Sequence, residues 1–123
     1  MWNLLEVLRD EEVCVKMKRI IQSYKKTDKS NERFDEEDWK QLIAETDIRW
    51  NDITIRLAAK YPLSQDEIYL CCLHLTDIPT SHFRYLMECS RDAIYKKGKR
   101  ILEQKMKCTD KSISLREFLE QFL

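Results

Sequence analysis

The chain has 123 residues, with one glycine, two prolines, five cysteines and a formal net charge of zero. That length fits one domain able to bury a core without metal or disulfide support, and a hydrophobic content of 43% excludes a disordered chain. One glycine (Gly98) cannot build a phosphate-cradling loop or a dinucleotide fingerprint, and no apolar run of about 18 residues marks a membrane span.

The composition, rich in Glu, Lys, Leu, Arg and Ile with no sustained apolar–polar alternation, predicts an all-α helical bundle. Charge is unevenly spread. Residues 1–79 hold 12 Lys/Arg and 16 Asp/Glu, whereas residues 80–123 hold 10 and 6. Cys14, Cys71, Cys72, Cys89 and Cys108 are odd in number and form no C-x-x-C pair. They read as reduced thiols acting as small apolar residues, and with no signal peptide the expected location is the cytoplasm.

In chain order, Leu4, Leu5, Val7, Leu8, Val13, Met17, Ile20, Ile21 and Tyr24 predict a first amphipathic helix over about 25 residues, with Asp10-Glu11-Glu12 as a break into two pieces. Lys25–Arg33 reads as a loop. Asp35 is a candidate N-cap followed by Glu36, Glu37 and Asp38, which suit the positive end of a helix dipole. Phe34 and Trp39 stand where a hydrophobic staple would place them. Thr46-Asp47 reads as a second cap or a kink. Trp50, Ile53, Leu57 and Ala58 continue the apolar stripe to about Lys60, and Pro62 ends it. Trp2, Trp39 and Trp50 read as core anchors.

Ser64-Gln65-Asp66-Glu67 is a capping box. It opens a helix carrying Ile68, Leu70, Cys71, Cys72 and Leu75, apolar enough to be central. Thr76–Pro79 is a turn, after which Thr80 or Ser81 caps a short helix with Phe83, Leu86 and Met87. Glu88-Cys89 is a tight turn. Ser90 caps a longer helix to about Met106, with Ile94, Ile101 and Leu102 inward. A last helix covers about Leu115–Leu123. These elements divide into an N-terminal helical region, 1–62, and a C-terminal unit, 63–123.

The C-terminal unit carries the functional signal. Between Arg84 and Lys107 eight Lys/Arg face only Glu88, Asp92 and Glu103. The short turn before Ser90 forces a sharp crossing and presents the following helix outward, at a length and diameter that suit a major groove. Arg91, Tyr95 and Lys99, with Asp92 and Lys96, are expected on its solvent side near base edges. Lys97, Arg100 and Arg84 are expected to meet phosphates. The predicted partner is double-stranded DNA.

The run Tyr61–Met106 resembles the LuxR-type helix-turn-helix. Leu63, Ser64 and Glu67 match the start of its first helix. Ser90 and Ile94 match the cap and core of its recognition helix, and Ile101 matches a later core position. From about Leu8 onward the chain is similar to the C-terminal segment of bacterial regulators in which tetratricopeptide repeats, a membrane span and a coiled coil precede a LuxR-like domain. That similarity rests on Asp38-Trp39-x-x-Leu42, Tyr61-Pro62-Leu63-Ser64, Cys71-Cys72-Leu73 and Arg100-x-Leu102. The resemblance implies a winged-helix-like DNA-binding fold and a transcription regulator or its output domain, part of a larger membrane-associated sensor. It also implies dimers, with the N-terminal helices or the last helix as interface. Three features depart from the pattern. His82-Phe83-Arg84 stands where Glu-Ile-Ala is common, Asp92 lies on the expected DNA face, and Gly98 costs about 1 kcal/mol relative to alanine inside a helix.

No enzymatic chemistry is legible, and no cofactor or small-molecule substrate is expected. His74 beside Cys71 and Cys72 suggests a metal site, but no second cluster completes four ligands, and no oxyanion-hole motif accompanies a Cys–His pair. The alternative to DNA binding is an interaction module, in which acidic amphipathic N-terminal helices hold a partner and the helix-turn-helix is degenerate.

Overall fold

The computed structural model describes residues 7–123, which are all-helical: seven α-helices and no strand among the described residues. Trp2, Leu4 and Leu5 lie outside them. Helix α1 (Glu12–Thr27) buries Val13, Cys14, Met17, Ile20 and Ile21 along one side. The acidic cluster marks the start of this helix and is not a break within it. Val7–Arg9 is non-helical because Leu8 is committed elsewhere: its N–H reaches Leu75 O at 3.1 Å and its carbonyl accepts from Asp77 N–H at 3.0 Å. The helix runs on into the expected loop and ends at Asp28, which takes the left-handed φ of 60° and returns its N–H to Tyr24 O.

Helix α2 (Glu36–Arg49) opens with the expected cap, extended to a full box: Asp38 N–H donates to Asp35 at 3.0 Å and Asp35 N–H to Asp38 at 2.9 Å. The staple is present as an edge-on contact of Phe34 with Trp39, centroids 4.6 Å apart. Thr46 neither caps nor breaks this helix; its hydroxyl donates back to Leu42 O at 2.7 Å. Asp47 serves the next element, accepting from Thr54 N–H at 2.8 Å and Thr54 Oγ1 at 2.7 Å. Helix α3 (Ile53–Lys60) buries Ile53, Thr54 and Leu57, and Ala58 is exposed, against expectation, because it falls one step round the helix from that narrow face. Trp39 and Trp50 are core residues, 7% and 6% exposed.

Helix α4 (Gln65–His74) is the centre of the fold. Every residue from Glu67 to Leu73 is buried, and the helix packs on α2, on α3 and on the helices described below. Burying a Leu or Ile side chain contributes about 1.5–3 kcal/mol, so this segment is the main apolar investment of the chain. Trp39 of α2 stacks flat on Tyr69, rings 4.4 Å apart and 3° from parallel. One buried cluster runs from Leu8 to Leu119, so regions 1–62 and 63–123 share it. The Cys14 and Cys72 thiols, both buried, are pushed up to about 12 by loss of solvent, and Cys71 is pushed up for the same reason. These three thiols stay protonated and pack as apolar groups.

Glu67 is a charge inside this core, 2% exposed. Its carboxylate accepts from Ser64 N–H at 2.7 Å and lies 3.5 Å from Lys105 Nζ. Burial pulls its pKa up, but the Ser64 hydrogen bonds and Lys105 outweigh that and leave it below the usual carboxylate value.

Candidate nucleic-acid interface

After α4 the chain turns through Thr76–Pro79 and enters a 3₁₀ turn, Thr80–His82, that leads into α5 (Phe83–Met87). Neither Thr80 nor Ser81 caps it with a side chain; His82 N–H bonds Pro79 O at 2.9 Å instead. The proline supplies the extended entry, and the tight 3₁₀ turn replaces a side-chain cap. Phe83 and Leu86 anchor this short helix in the core, and Tyr24 of α1 stacks on Tyr85 from behind at 5.1 Å.

Glu88–Ser90 forms the turn that aims the next helix. Glu88 sits at φ 55°, a left-handed conformation that favours glycine or asparagine at a helix end. Its N–H closes the helix on Arg84 O at 3.0 Å, and its exposed carboxylate accepts two hydrogen bonds from Arg33, at 3.0 and 2.6 Å. Ser90 Oγ then accepts from Ala93 N–H at 3.1 Å and starts α6 (Arg91–Arg100). The same rod continues as a π-helical turn, Ile101–Lys105, closed by Met106 N–H on Ile101 O at 2.8 Å. Its 15 residues span about 20 Å at the usual helical rise. Only Ile94 and Ile101 are buried along it, with Leu102 partly covered.

Arg91, Asp92, Tyr95, Lys96, Lys99 and Arg100 are exposed on this rod. Lys97 is set apart: it is half-buried and turns toward Asp66 of α4 at 3.9 Å. Arg84 is exposed on α5, where it donates to Tyr85 Oη at 2.8 Å and lies over the Tyr85 ring. The solvent ridge of α6 alternates in sign. Lys96 pairs with Asp92 at 3.0 Å and Lys99 with Glu103 at 3.8 Å, each one turn apart. Lys99 also sits 5.6 Å from the Tyr95 ring centroid. Exposed pairs of this kind contribute only a few tenths of a kcal/mol, so a phosphate could take either lysine at small cost. Arg91 and Arg100 hold no ion pair among the described residues.

A cavity of about 410 Å³ opens beside this ridge, between α6, the Thr80–Ser81 turn and the segment 107–114 that leads into α7 (Leu115–Leu119). His74 lines it. This half-buried imidazole has an enclosed Nδ1 without a hydrogen-bond partner. Burial, and then the nearby Arg116 charge, push its pKa down to about 3, so it is neutral at ordinary pH. Arg116 is fixed by donating to His74 O at 2.7 Å and Thr76 O at 3.0 Å. The sequence reading had no place for this cavity, although a helix-interior glycine facing it, Gly98, was a visible signal.

No family model, no curated protein and no solved structure matches the chain. No helix among the described residues is long and apolar enough to cross a membrane.

Proposed function

We propose that this chain is a DNA-binding transcription regulator, or the output part of one, that reads duplex DNA through α6. The observation that carries this reading is the exposure of Arg91, Lys96, Lys99 and Arg100 on a rod buried along one side only and aimed by a three-residue turn. The succession of a Ser-capped buried helix, a short helix and a second Ser-capped helix supports the LuxR-type resemblance, and on that reading the N-terminal turn of α6 would lie nearest the bases. Arg84 and Arg100 would grip phosphates, and a second copy of the chain would supply the other half-site.

The test is a fluorescence titration of labelled genomic duplex fragments at two salt concentrations. The parent should bind, and its affinity should fall with salt, the logarithmic slope losing about 0.9 for each phosphate contact removed. Lys96→Ala, Lys99→Ala and Arg100→Ala combined should weaken binding at least about tenfold, equivalent to about 1.4 kcal/mol, with circular dichroism unchanged. Equal binding by parent and triple variant would end the α6 assignment.

One observation favours the interaction-module reading: the α6 ridge is half neutralised by its own Asp92 and Glu103, while Val15, Ile48 and Ile55 on α1, α2 and α3 are exposed apolar side chains. That reading requires no salt-dependent duplex affinity and a stable homodimer or hetero-complex in light scattering.

A further inference from the structure

Among the described residues, the cavity beside α6 is lined by three cations, Arg91, Lys99 and Lys111, and by no carboxylate. All three cations are exposed, whereas the apolar lining residues Ile94 and Leu115 are buried, so the charges form a rim over an apolar floor. Of the nearby acids, Glu103 pairs with Lys99 at 3.8 Å from one turn along α6, and two others are engaged locally. Asp110 takes Ser112 N–H at 2.9 Å and Ser112 Oγ at 2.6 Å, and Glu117 caps its own helix through Ser114. Thr80 and Ser81 also line the cavity, and their hydroxyls have no hydrogen-bond partner among the described residues.

Gly98 is the second observation. Its backbone is ordinary helix, and a Cβ built there would meet nothing within 4 Å. Neither φ nor packing calls for a glycine, yet the residue weakens the helix. What its missing side chain does is widen the cavity.

We infer that this cavity is a binding site for a small organic acid, one carboxylate on an apolar body. The carboxylate would sit between Arg91 and Lys111, with Lys99 within reach, and the apolar body would lie on Ile94, Leu102 and Leu115 across the gap at Gly98. The volume falls in the range of small-molecule sites, which combine apolar walls with a few placed polar groups. Arg91 and Lys99 are also on the face proposed for duplex contact, so a bound acid would occupy the cations that DNA needs. The site itself does not depend on that reading, and its test contains no nucleic acid.

Because the chain has a single glycine, protein labelled with ¹⁵N-glycine gives one amide signal, at the cavity wall. The probe is 4-phenylbutyrate, with 4-phenylbutanamide and acetate as controls. The expected result is a saturable shift of the Gly98 signal with 4-phenylbutyrate at a Kd of about 1 mM or tighter. The amide, which lacks the charge, and acetate, which lacks the apolar body, should bind at least about tenfold more weakly. The Arg91→Gln/Lys111→Gln double variant changes two exposed side chains that hold no ion pair among the described residues. It should lose about tenfold in affinity or more while keeping the parent's circular dichroism. No saturable shift, an equal response to the amide or acetate, or an unchanged Kd in the double variant would each overturn the assignment.

Discussion

Helices α4 and α6 have the same length, ten residues, and the same opening, a serine whose Oγ accepts from the N–H three residues on. Their fates are opposite. In α4 seven of the ten residues are buried; in α6 only Ile94 is. The cap chemistry does not make this difference. After Ser64 come six successive apolar residues, Ile68 to Leu73, so α4 has no side that water would stabilise and becomes the centre of the bundle. After Ser90 the apolar residues recur once per two turns, at Ile94 and Ile101, which is enough to seat the rod and no more. Caps decide where a helix starts, and the angular spread of apolar side chains decides how deep it lies.

The contrast is broken most directly by truncation. Leu70→Ala on α4 should cost about 2–5 kcal/mol of unfolding free energy, because the neighbouring helices cannot close fully on the void. Lys96→Ala on α6 should change stability by less than about 0.5 kcal/mol. Urea unfolding followed by circular dichroism measures both. Similar losses would mean that α4 is not the core that its burial indicates.

Next in size is an effect of pH at the C-terminal end of α4. His74 is neutral in the fold, with a pKa pushed down to about 3 by burial and Arg116, whereas in the unfolded chain it titrates near the ordinary histidine value of 6.5. The unfolded state therefore binds more protons below that value, and stability falls as pH drops from 6.5 toward 3. Between about pH 7 and pH 5 the loss should be about 2 kcal/mol. Glu67 adds to it at lower pH: its folded pKa lies below 4.5, so its contribution is present above that value and fades as pH falls through the folded one. The His74→Gln variant should lose most of this slope and keep only the part due to His82, whose pKa burial and the Lys25 and Arg84 charges also lower. A parent as flat as the variant would show that the imidazole protonates inside the fold.

Ser90→Ala sharpens the comparison at the shared feature. Loss of one N-cap bond costs about 1 kcal/mol, and on α6 it should appear as that modest loss in urea unfolding together with faster amide exchange in the first turn. On α4, Ser64→Ala should cost more, since it leaves the N–H of the buried Glu67 without its acceptor, whereas Ala93, at the same place on α6, is exposed. Equal costs at the two serines would contradict the buried box.

What was legible in the sequence was local. Asp35, Ser64 and Ser90 start helices because each bond joins residues three apart, and the spacing of Ile94 and Ile101 oriented α6 before any contact was known. What was not legible depends on distant residues. Glu88, in its left-handed turn, pairs with Arg33, 55 residues earlier. Thr46-Asp47 reads as a cap, yet Asp47 caps across a break toward Thr54 while Thr46 bonds backward in its own helix. The cavity beside α6 needs the path of residues 107–114, which turns at Lys107 with a φ of 56°, and no periodicity reports that path. The candidate cations were identified from charge density and from the helix register set by Ile94 and Ile101, and neither reports a neighbouring helix, which is why Lys97, held toward Asp66, was grouped with them and Lys111, on a later segment, was not.

The smallest expected effect concerns Gly98, and its sign is opposite to the others. An alanine there should raise unfolding free energy by up to about 1 kcal/mol, because it removes backbone freedom from the unfolded chain and a Cβ meets no neighbour. On α4 no comparable gain is available, since each side chain from Glu67 to Leu73 already fills enclosed space. Thermal unfolding of Gly98→Ala against the parent reads the difference. A melting temperature unchanged or lowered would show that the backbone at this point relies on glycine in a way that φ and the open space beside it do not reveal. A raised one would leave the widened cavity as the remaining reason for a residue that weakens the helix carrying it.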